Sequence, residues 1–510
     1  MPFAPATDWR RLPPEAKQQF LEALQRKTAS KVGEKFKRAY RNDPAAFVRD
    51  CFSWSVDEGP AEYQIEILSS LVDSRRVAVR GPHGLGKTSL ASWVILWFAL
   101  TRDGGEGDWK IVTTASAWRQ LKNYLWPEVH KWARRLRWSK ILRPAFSSNE
   151  LLQLSLKLQS GEAFAVATND HELIEGAHAD SLLYLFDEAK AIPTDFFDAA
   201  EGALSSGDCY ALAISTPGEP VGRFYDIHAR KPGLEGWRVR HVTLKEATDA
   251  GRVSRAWAKE KKSLWGEGSA IYANRVLGEF HTSDSDGVIP LSWIEQANER
   301  WEAWRESKDQ WLSFTCVGVD VGRSTDGDKT ILALRHGEVI TELRRFSVAD
   351  TMVSSGHVAA VLNARGGYGV IDLIGIGAGV YDRLREQNLK VRPFNASTSP
   401  PARMKDRSGE LEFLNCRAAA WWHFRELLDP AYGSKVCLPP DDQLTGDLCA
   451  PHWKPTSSGK LQIESKDDIR KRLGRSTDDG DSVVMAFFPE PVRAAEESEL
   501  YSYGYRQYGW

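Results

Sequence analysis

Residues 76–88 read RVAVRGPHGLGKT, and this stretch decides how the N-terminal half of the chain folds. Its last eight residues follow the pattern G-x-x-x-x-G-K-T, and the apolar run before them is typical of a buried strand. Residues 89–98 then have the composition of a helix. In this setting, glycines allow backbone N–H groups to close around phosphate oxygens, and the helix N-terminus adds a partial positive charge. The stretch therefore predicts a phosphate-binding loop between a strand and a helix.

The same pattern assigns individual roles in binding ATP and its Mg²⁺ ion. Lys87 is expected to reach the β- and γ-phosphates, while the hydroxyl of Thr88 binds the metal. Gln64 precedes the loop by about 17 residues, where its amide can read the adenine edge or simply be exposed on a helix. The residues predicted to form the loop are Gly81, Pro82, His83, Gly84, Leu85, Gly86, Lys87 and Thr88.

A second acidic motif follows about 100 residues later. Residues 182–186 are a continuous apolar run, typical of a parallel strand buried on both faces, and they lead directly into Asp187 and Glu188. Sites in α/β proteins lie at the carboxyl ends of such strands. We expect Asp187 to hold Mg²⁺ through water and Glu188 to orient and deprotonate the attacking water. Ser215 and Thr216 end another apolar run, which favours a sensor of the γ-phosphate.

Length and composition indicate a multidomain globular protein. The chain of 510 residues is too long for one hydrophobic core, so two or three domains are expected. It contains no run of 18 apolar residues and no apolar N-terminal signal, so neither a membrane span nor secretion is expected. The six cysteines are scattered, which favours reduced thiols in a cytoplasm.

Positive charge is concentrated in two segments, although the net charge of the chain is only −2. Residues 1–50 contain eleven Lys and Arg against six Asp and Glu, and residues 118–143 contain eight against one. The second segment also interleaves several aromatic residues with its basic ones. Either segment is typical of a surface that binds a nucleic-acid backbone, or of a solvated helix packed by its tryptophans.

The second half of the chain has a different acidic pattern. Residues 311–343 predict three consecutive strands joined by hairpin turns, with Asp320 ending the first, which is the opening of an RNase H-like nuclease. Asp372 ends a later strand, and Asp481 precedes the final helix. These three carboxylates are predicted to meet at one sheet edge around two Mg²⁺ or Mn²⁺ ions, which prefer hard oxygen ligands. Asp328 and Asp478 are possible additional ligands, and Asp478 is also an alternative to Asp481.

Residues 466–475, just before this last acid, are strongly charged. They fit either a clamp on a DNA backbone or an exposed surface loop. The last stretch, 491–510, is aromatic without helical periodicity, and its role as a docking tail or a flexible end stays open.

The combination resembles the large terminase subunit of tailed double-stranded DNA bacteriophages. The resemblance covers roughly residues 50–490 and includes the phosphate loop, the two acidic motifs, and residues 113–120 and 175–178. It implies an α/β protein with a P-loop ATPase domain of the RecA/ASCE type and a parallel sheet, followed by an RNase H-like α/β nuclease domain.

Function and partners follow from the resemblance as expectations. Members of this family pump double-stranded DNA into a prohead through the portal protein and cut concatemeric DNA. A small terminase subunit selects the DNA, and the motor assembles as a ring, commonly a pentamer. Assembly would take place in the host cell cytoplasm, without retention in the virion. An ATP-dependent helicase or repair motor with a fused nuclease is the alternative, and an inert scaffold with both folds is less compatible with the intact motifs.

One part of the family pattern is missing. Members often place an arginine finger where this chain has Glu175, so the arginine that neutralises charge on the transferred phosphoryl group must lie elsewhere. Arg80, Arg119 and Arg223 are the candidates.

We expect five regions along the chain. They are a basic helical N-terminal segment (1–50), the ATPase domain (51–240), a helical linker (241–310), the nuclease domain (311–490) and the aromatic tail (491–510).

Overall fold

The structure is a computed structural model that divides the chain into two compact units. The first unit contains residues 1–258 and 273–281, and the second contains 259–272 and 282–510. The residues described are 33–56, 58–105, 107–167, 178–203, 207–281, 286–307, 312–322, 329–401 and 404–489. Most of the predicted N-terminal segment and the whole aromatic tail therefore lie outside the described residues.

Within the described residues, the first unit is built on an eight-stranded sheet of order β3-β4-β5-β2-β6-β7-β1-β8. Six strands run parallel, and β3 and β4 form an antiparallel extension at one edge. The central strands are apolar and buried on both faces, as expected for a parallel sheet covered by helices. The strands are β1 (Arg76–Arg80), β2 (Trp109–Ala115), β3 (Leu151–Leu152), β4 (Ser155–Lys157), β5 (Gly161–Val166), β6 (Ser181–Asp187), β7 (Asp208–Ser215) and β8 (Arg238–His241).

Helices cover this sheet, and the one that follows the phosphate loop is almost completely buried. A π-helical turn, Leu121–Leu125, connects two of the short helices in the basic segment. The helices are α1 (Pro44–Cys51), α2 (Glu62–Ser74), α3 (Lys87–Arg102), α4 (Trp118–Gln120), α5 (Trp126–Arg134), α6 (Trp138–Ile141), α7 (Thr194–Ala203), α8 (Gly222–His228) and α9 (Leu244–Asp249). The predicted strand, loop and helix around residues 76–98 are confirmed.

The second unit contains a five-stranded sheet of order β11-β10-β9-β12-β13 among its described residues. The first three strands are antiparallel neighbours, whereas β12 pairs parallel to β9 and to β13. This is the predicted RNase H-like arrangement, in which a hairpin meander is extended by parallel strands. The strands are β9 (Phe314–Asp320), β10 (Thr330–His336), β11 (Val339–Phe346), β12 (Tyr368–Asp372) and β13 (Val391–Phe394), with a separate hairpin of β14 (Trp453–Pro455) and β15 (Leu461–Ile463).

The helix that carries the last acidic motif packs directly on this sheet. A Cβ atom at Gly318 of β9 would collide with the backbone carbonyl of Ser482, so a glycine is needed for this close approach. The helices of the second half are α10 (Arg255–Trp265), which spans the boundary between the units, α11 (Ala270–Tyr272), α12 (Leu291–Glu306), α13 (Thr351–Arg365), α14 (Gly377–Glu386), α15 (Cys416–Leu428), α16 (Asp442–Cys449), α17 (Lys466–Leu473) and α18 (Asp478–Phe487).

The two units do not follow the predicted domain boundaries. The expected boundary at residue 240 falls inside β8, which pairs with β1 and so belongs to the first sheet. The expected linker at 241–310 is divided between the units, and residues 273–281 return to the first. Helical spacing alone does not reveal such a return, because it depends on contacts between distant residues. In the part of the chain that the structure describes, no helix is both long and apolar enough to span a membrane.

Candidate nucleotide and metal sites

The phosphate loop follows β1 and closes tightly on itself. A Cβ atom at Gly81 would lie 2.5 Å from Cδ1 of Leu85 and 2.8 Å from the carbonyl oxygen of Val242, so only glycine fits there. The Lys87 ammonium donates to the carbonyl of Pro82 at 3.1 Å, within the same loop. Burial lowers the pKa of Lys87, against the opposing effect of Glu188 and Asp187. This geometry places a cation in the loop where a phosphate would bind.

Helix α2 braces the second half of the loop. The Tyr63 hydroxyl donates to the Leu85 carbonyl at 2.9 Å, and the Gln64 amide donates to the same oxygen at 3.3 Å. The Gln64 carbonyl accepts from the N–H of Ala61 at 2.9 Å. Gln64 is only 1% exposed, so it is not the exposed helical residue that the sequence also allowed. Its observed partners are backbone groups, and its contact with adenine stays a prediction.

The structure brings both predicted carboxylates of the first unit to the loop. Asp187 ends β6 and is buried, and burial followed by the neighbouring Glu188 raises its pKa to about 7. Glu188 has a φ of 49°, a left-handed conformation that is uncommon for a residue with a side chain. The Ser215 hydroxyl donates to Oε2 of Glu188 at 3.1 Å. The predicted sensor strand therefore contacts the predicted general base directly.

Arg80 and Arg223, two of the arginine-finger candidates, contact residues of their own unit. Arg80 donates to the Gly278 carbonyl at 2.6 Å, and its guanidinium lies 5.3 Å from the ring centre of Phe280. Arg223 forms an ion pair with Asp198. Arg119 lies in α4, directly after the carboxyl end of β2. None of these contacts identifies a finger, and the assignment stays a prediction, as does any role of Glu175, which lies outside the described residues.

A histidine near Arg80 gives the first unit a predicted dependence on pH. Burial, followed by repulsion from Arg80 and His241, lowers the pKa of His228 to about 3, from an ordinary value of 6.5. The folded state thus keeps His228 neutral between these values, whereas the unfolded chain takes up a proton. Folding stability therefore falls as the pH drops below about 6.5, by up to about 1.4 kcal/mol per pH unit. We expect His228→Phe to reduce this loss.

Chemical unfolding at pH 7.5 and pH 5 measures the effect, since the difference in stability between the two conditions should shrink in the variant. His178→Phe, at an exposed position in the same unit, is the control and should lose as much stability between the two conditions as the unchanged protein does. Equal losses of stability in His228→Phe and the unchanged protein would contradict the assignment.

The second unit brings four acidic side chains together. Asp320 and Asp372 end the parallel neighbours β9 and β12, while Asp478 and Asp481 lie in the first turn of α18. Their centre is the ammonium of Lys466, whose distances to carboxylate oxygens are 2.6 Å for Asp320, 3.3 Å for Asp481, and 4.0 Å for both Asp372 and Asp478. The predicted convergence of the three strand and helix ends is therefore observed. The predicted additional ligand Asp328 lies outside the described residues.

The charged stretch 466–475 begins with a helix and not with the exposed loop that the sequence also allowed, while its contact with a DNA backbone stays a prediction. The structure adds a role for its first residue. Lys466 begins α17 and is held inside the acidic cluster, because four carboxylates attract a cation strongly at short range. Burial opposes its charge, but the carboxylates, led by Asp320, raise its pKa. Among the described residues, no three or more His, Cys, Asp and Glu side chains are arranged as a preformed metal site. The oxygen donors nevertheless fit Mg²⁺ or Mn²⁺ chemically, and the cluster already accommodates positive charge.

The two alternative third ligands differ in their surroundings. Oδ1 of Asp481 accepts from the Trp421 indole at 2.9 Å and from Arg417, and Oδ2 accepts from the Thr477 hydroxyl at 2.9 Å. Burial opposes ionisation of Asp481, but Arg417 and Lys466 outweigh it and lower its pKa. Asp478 accepts a hydrogen bond from Ser476 and is less deeply buried. Asp481 is thus held as a fixed anion, and the choice between the two stays open.

A buried acid fixes the start of helix α18. Oδ2 of Asp447 accepts from the N–H groups of Asp479 and Gly480 at 3.0 and 3.2 Å, which satisfies two donors at the helix start. Asp479 in turn pairs with Arg345 at 2.6 Å. The sequence did not indicate that Asp447, Arg345, Arg417 and Trp421 support the acidic cluster. The only local signal in this region was the high charge of residues 466–475.

The ionisation of Asp320 is sensitive to nearby positive charge. Burial is the main cause that raises the pKa of Asp320 to about 8. Lys466 lowers this pKa, and the neighbouring acids raise it further. A divalent cation among these oxygens would favour the ionised carboxylates. Asp320 is therefore a carboxylate of this cluster whose ionisation a bound cation would favour, whereas protein groups already stabilise the charge of Asp481.

Comparisons with known proteins found one curated relative and several solved structures. No family model matches the chain. A probable terminase large subunit of Enterobacteria phage P7 is 25% identical over 282 residues, which are 54% of this chain and 55% of the relative. The chain thus aligns with about half the length of that relative.

Two solved structures show weaker similarity. The nuclease domain of the large terminase subunit gp2 of bacterial virus Sf6 is 18% identical, with 40% of this chain and 99% of that chain covered and a TM-score of 0.36. A large terminase from a thermophilic bacteriophage is 12% identical, with 82% and 98% covered and a TM-score of 0.39. The chain is similar to large terminases in each of these comparisons.

Proposed function

We propose that the first unit hydrolyses ATP at the phosphate loop. The proposal rests on the convergence of Lys87, Asp187 and Glu188 at the carboxyl ends of parallel strands. Lys87 binds the terminal phosphates, and Asp187 and Thr88 would hold Mg²⁺, which would neutralise charge on the phosphates. Glu188 accepts the proton of the attacking water, and Ser215 orients Glu188 for this task.

We infer that the second unit cuts DNA at the acidic cluster. Asp320, Asp372 and one or both of the acids of α18 would hold divalent cations, whose chemistry there would be to activate a water and to stabilise the leaving 3′-oxygen. Arg417, Trp421 and Thr477 orient Asp481 through hydrogen bonds to its two oxygens. Lys466 neutralises the carboxylates and keeps them close together.

The two activities together favour a motor that packages viral DNA. We propose that the chain drives double-stranded DNA into proheads and cuts the concatemer, as its resemblance to large terminases implies. The single observation that carries this is one chain with both an ATPase-type site and a four-carboxylate nuclease-type site. The proposed partners are double-stranded DNA, a portal protein and a small terminase subunit. Further copies of the chain would form a ring, which the resemblance implies is a pentamer. Assembly would take place in the host cytoplasm.

ATP-driven uptake of DNA by purified proheads tests this function. The unchanged protein should protect DNA from added nuclease in the presence of ATP, and Lys87→Ala should not, because the loop then lacks its phosphate-binding cation. Absence of ATP-dependent protection with the unchanged protein and its proheads would overturn the packaging role.

A helicase or repair motor is the competing function. It is less compatible with the structure, because the second unit has an RNase H-like sheet where such a motor would have a second RecA-like domain. Strand separation on a forked DNA duplex distinguishes the two: we expect ATP hydrolysis without unwinding, and efficient unwinding would favour the helicase.

A further inference from the structure

Residues 273–281, called the clamp below, return to the first unit between two stretches that belong to the second. The clamp begins with a π-helical turn, Ala273–Leu277, directly after α11. Such turns are rare in proteins, and those that occur often lie at functional sites. The sequence predicts only that this stretch is part of a helical linker, so its contacts are what indicate its role.

The clamp lies directly against the first half of the phosphate loop. The N–H of His83 donates to the carbonyl of Arg275 at 2.9 Å. Gly278 has a φ of +70°, and a Cβ atom there would lie 2.5 Å from Cα of Gly81 and 2.8 Å from Cδ of Pro82. Backbone therefore packs on backbone at this point, and no larger residue fits without moving the loop.

The same segment is fixed to the carboxyl ends of three neighbouring strands. Asn274, which is only 4% exposed, donates to the Gly218 carbonyl at 3.2 Å, beyond the end of β7. Nε2 of His241 in β8 donates a hydrogen bond to the Leu277 carbonyl at 3.0 Å. Arg80 at the end of β1 donates to the Gly278 carbonyl. These contacts fix the clamp relative to the sheet that carries Asp187 and Glu188.

The phosphate loop is thereby held from two sides. Helix α2 braces its second half through Tyr63 and Gln64, and the clamp braces its first half through Arg275 and Gly278. A loop that binds phosphate through backbone N–H groups binds more tightly when its backbone is already ordered. The opposite braces therefore limit the shapes that the loop can adopt before a nucleotide arrives.

We propose that the clamp is a positioning element for nucleotide binding, with Gly278 and Asn274 as its positioning residues. It holds residues 81–83 in the conformation that receives the triphosphate of ATP. This inference rests on the proposed ATPase function of the first unit. It goes beyond that function by assigning part of the phosphate site to a segment nearly 200 residues from the loop in sequence.

Gly278→Ala tests the proposal, with Gly251→Ala as its matched control. Both glycines lie in the first unit, with φ values of +70° and +68°, so alanine introduces similar backbone strain at each. Nothing lies within 4 Å of a Cβ atom at Gly251, whereas the one at Gly278 collides with the loop. We expect the KM for ATP to rise roughly ten- to a hundredfold in Gly278→Ala, and about twofold at most in the control.

Asn274→Ala is the second variant, because it removes two hydrogen bonds, to the carbonyls of Gly218 and Glu279, and adds no atom that collides. Asn298→Ala is its control, since Asn298 also donates to two backbone carbonyls, but within the second unit. Fluorescent ATP analogue binding is measured beside Mn²⁺-dependent DNA cleavage. The positioning role of the clamp is supported if Asn274→Ala binds the nucleotide more weakly and cuts DNA normally. The same result is expected for Gly278→Ala where that variant folds.

The results separate this inference from the function on which it rests. If the unchanged protein hydrolyses ATP and both clamp variants have the wild-type KM for ATP, the positioning role of the clamp is wrong, while the proposed ATPase function stands. If the unchanged protein neither binds nor hydrolyses ATP, the proposed ATPase function itself is wrong, and the clamp falls with it.

Discussion

Replacement of Glu188 by glutamine is expected to leave ATP binding intact and to stop ATP hydrolysis. Glutamine keeps the size of the side chain and an oxygen that accepts the hydrogen bond from Ser215, which is 3.1 Å from Oε2 of Glu188. It cannot take up a proton from water, and loss of a general base costs roughly 10²–10⁴-fold in rate. Phosphate release measures hydrolysis, and a fluorescent ATP analogue measures binding.

The matched control for this change is Glu235→Gln, at an exposed position in the same unit. It should hydrolyse ATP at the wild-type rate. Mn²⁺-dependent cutting of plasmid DNA should persist in Glu188→Gln, because the acidic cluster of the second unit is unchanged. Turnover of ATP at a near-normal rate in Glu188→Gln would show that another group acts as the base.

Replacement of Asp320 by alanine should have the opposite pattern, with DNA cleavage lost and ATP hydrolysis retained. Asp320 ends the central strand β9, and its oxygen is the one closest to Lys466, at 2.6 Å. Its removal deletes a hard oxygen donor from the place where a divalent cation would bind. Plasmid cleavage in Mg²⁺ and in Mn²⁺, with ATP turnover measured on the same preparation, checks the prediction.

Asp467→Asn provides the comparison for the nuclease site. Asp467 is exposed and directly follows Lys466, so its change removes a nearby negative charge without touching the cluster. Cleavage by this variant should be normal. Metal-dependent cleavage that survives in purified Asp320→Ala would remove Asp320 from the metal site and leave the other acids to account for it.

Much of the fold could be predicted because its strongest signals are local. Residues 76–98 specify strand, loop and helix through adjacent residues, and the structure contains β1, the loop and α3 there. The apolar run before Asp187 likewise predicts a buried parallel strand, which is β6. Domain boundaries were harder to predict, since β8 and the clamp join the first unit only through pairing with residues far away in sequence.

The candidate sites show the same division between near and distant contacts. Asp320 and Asp372 were predictable because each ends an apolar strand, and parallel neighbours place their ends at one edge. The position of Lys466 was not predictable, because 146 residues separate it from Asp320 and a charged stretch has the same composition whether it is exposed or buried. For Gln64 the sequence allowed an adenine reader or an exposed helical residue, and only the structure shows that it is buried and hydrogen-bonded to backbone groups.

The sequence by itself determined which chemical groups this protein possesses: a phosphate loop with Lys87, the pair Asp187 and Glu188, and the acids of the second half. These follow from residue type and short spacing, which fix local backbone geometry. Only the tertiary structure decided what surrounds those groups, including Lys466 among the carboxylates and the clamp against the loop. The physical reason is that burial and electrostatic attraction depend on distances in space, and the packing of the whole chain sets those distances.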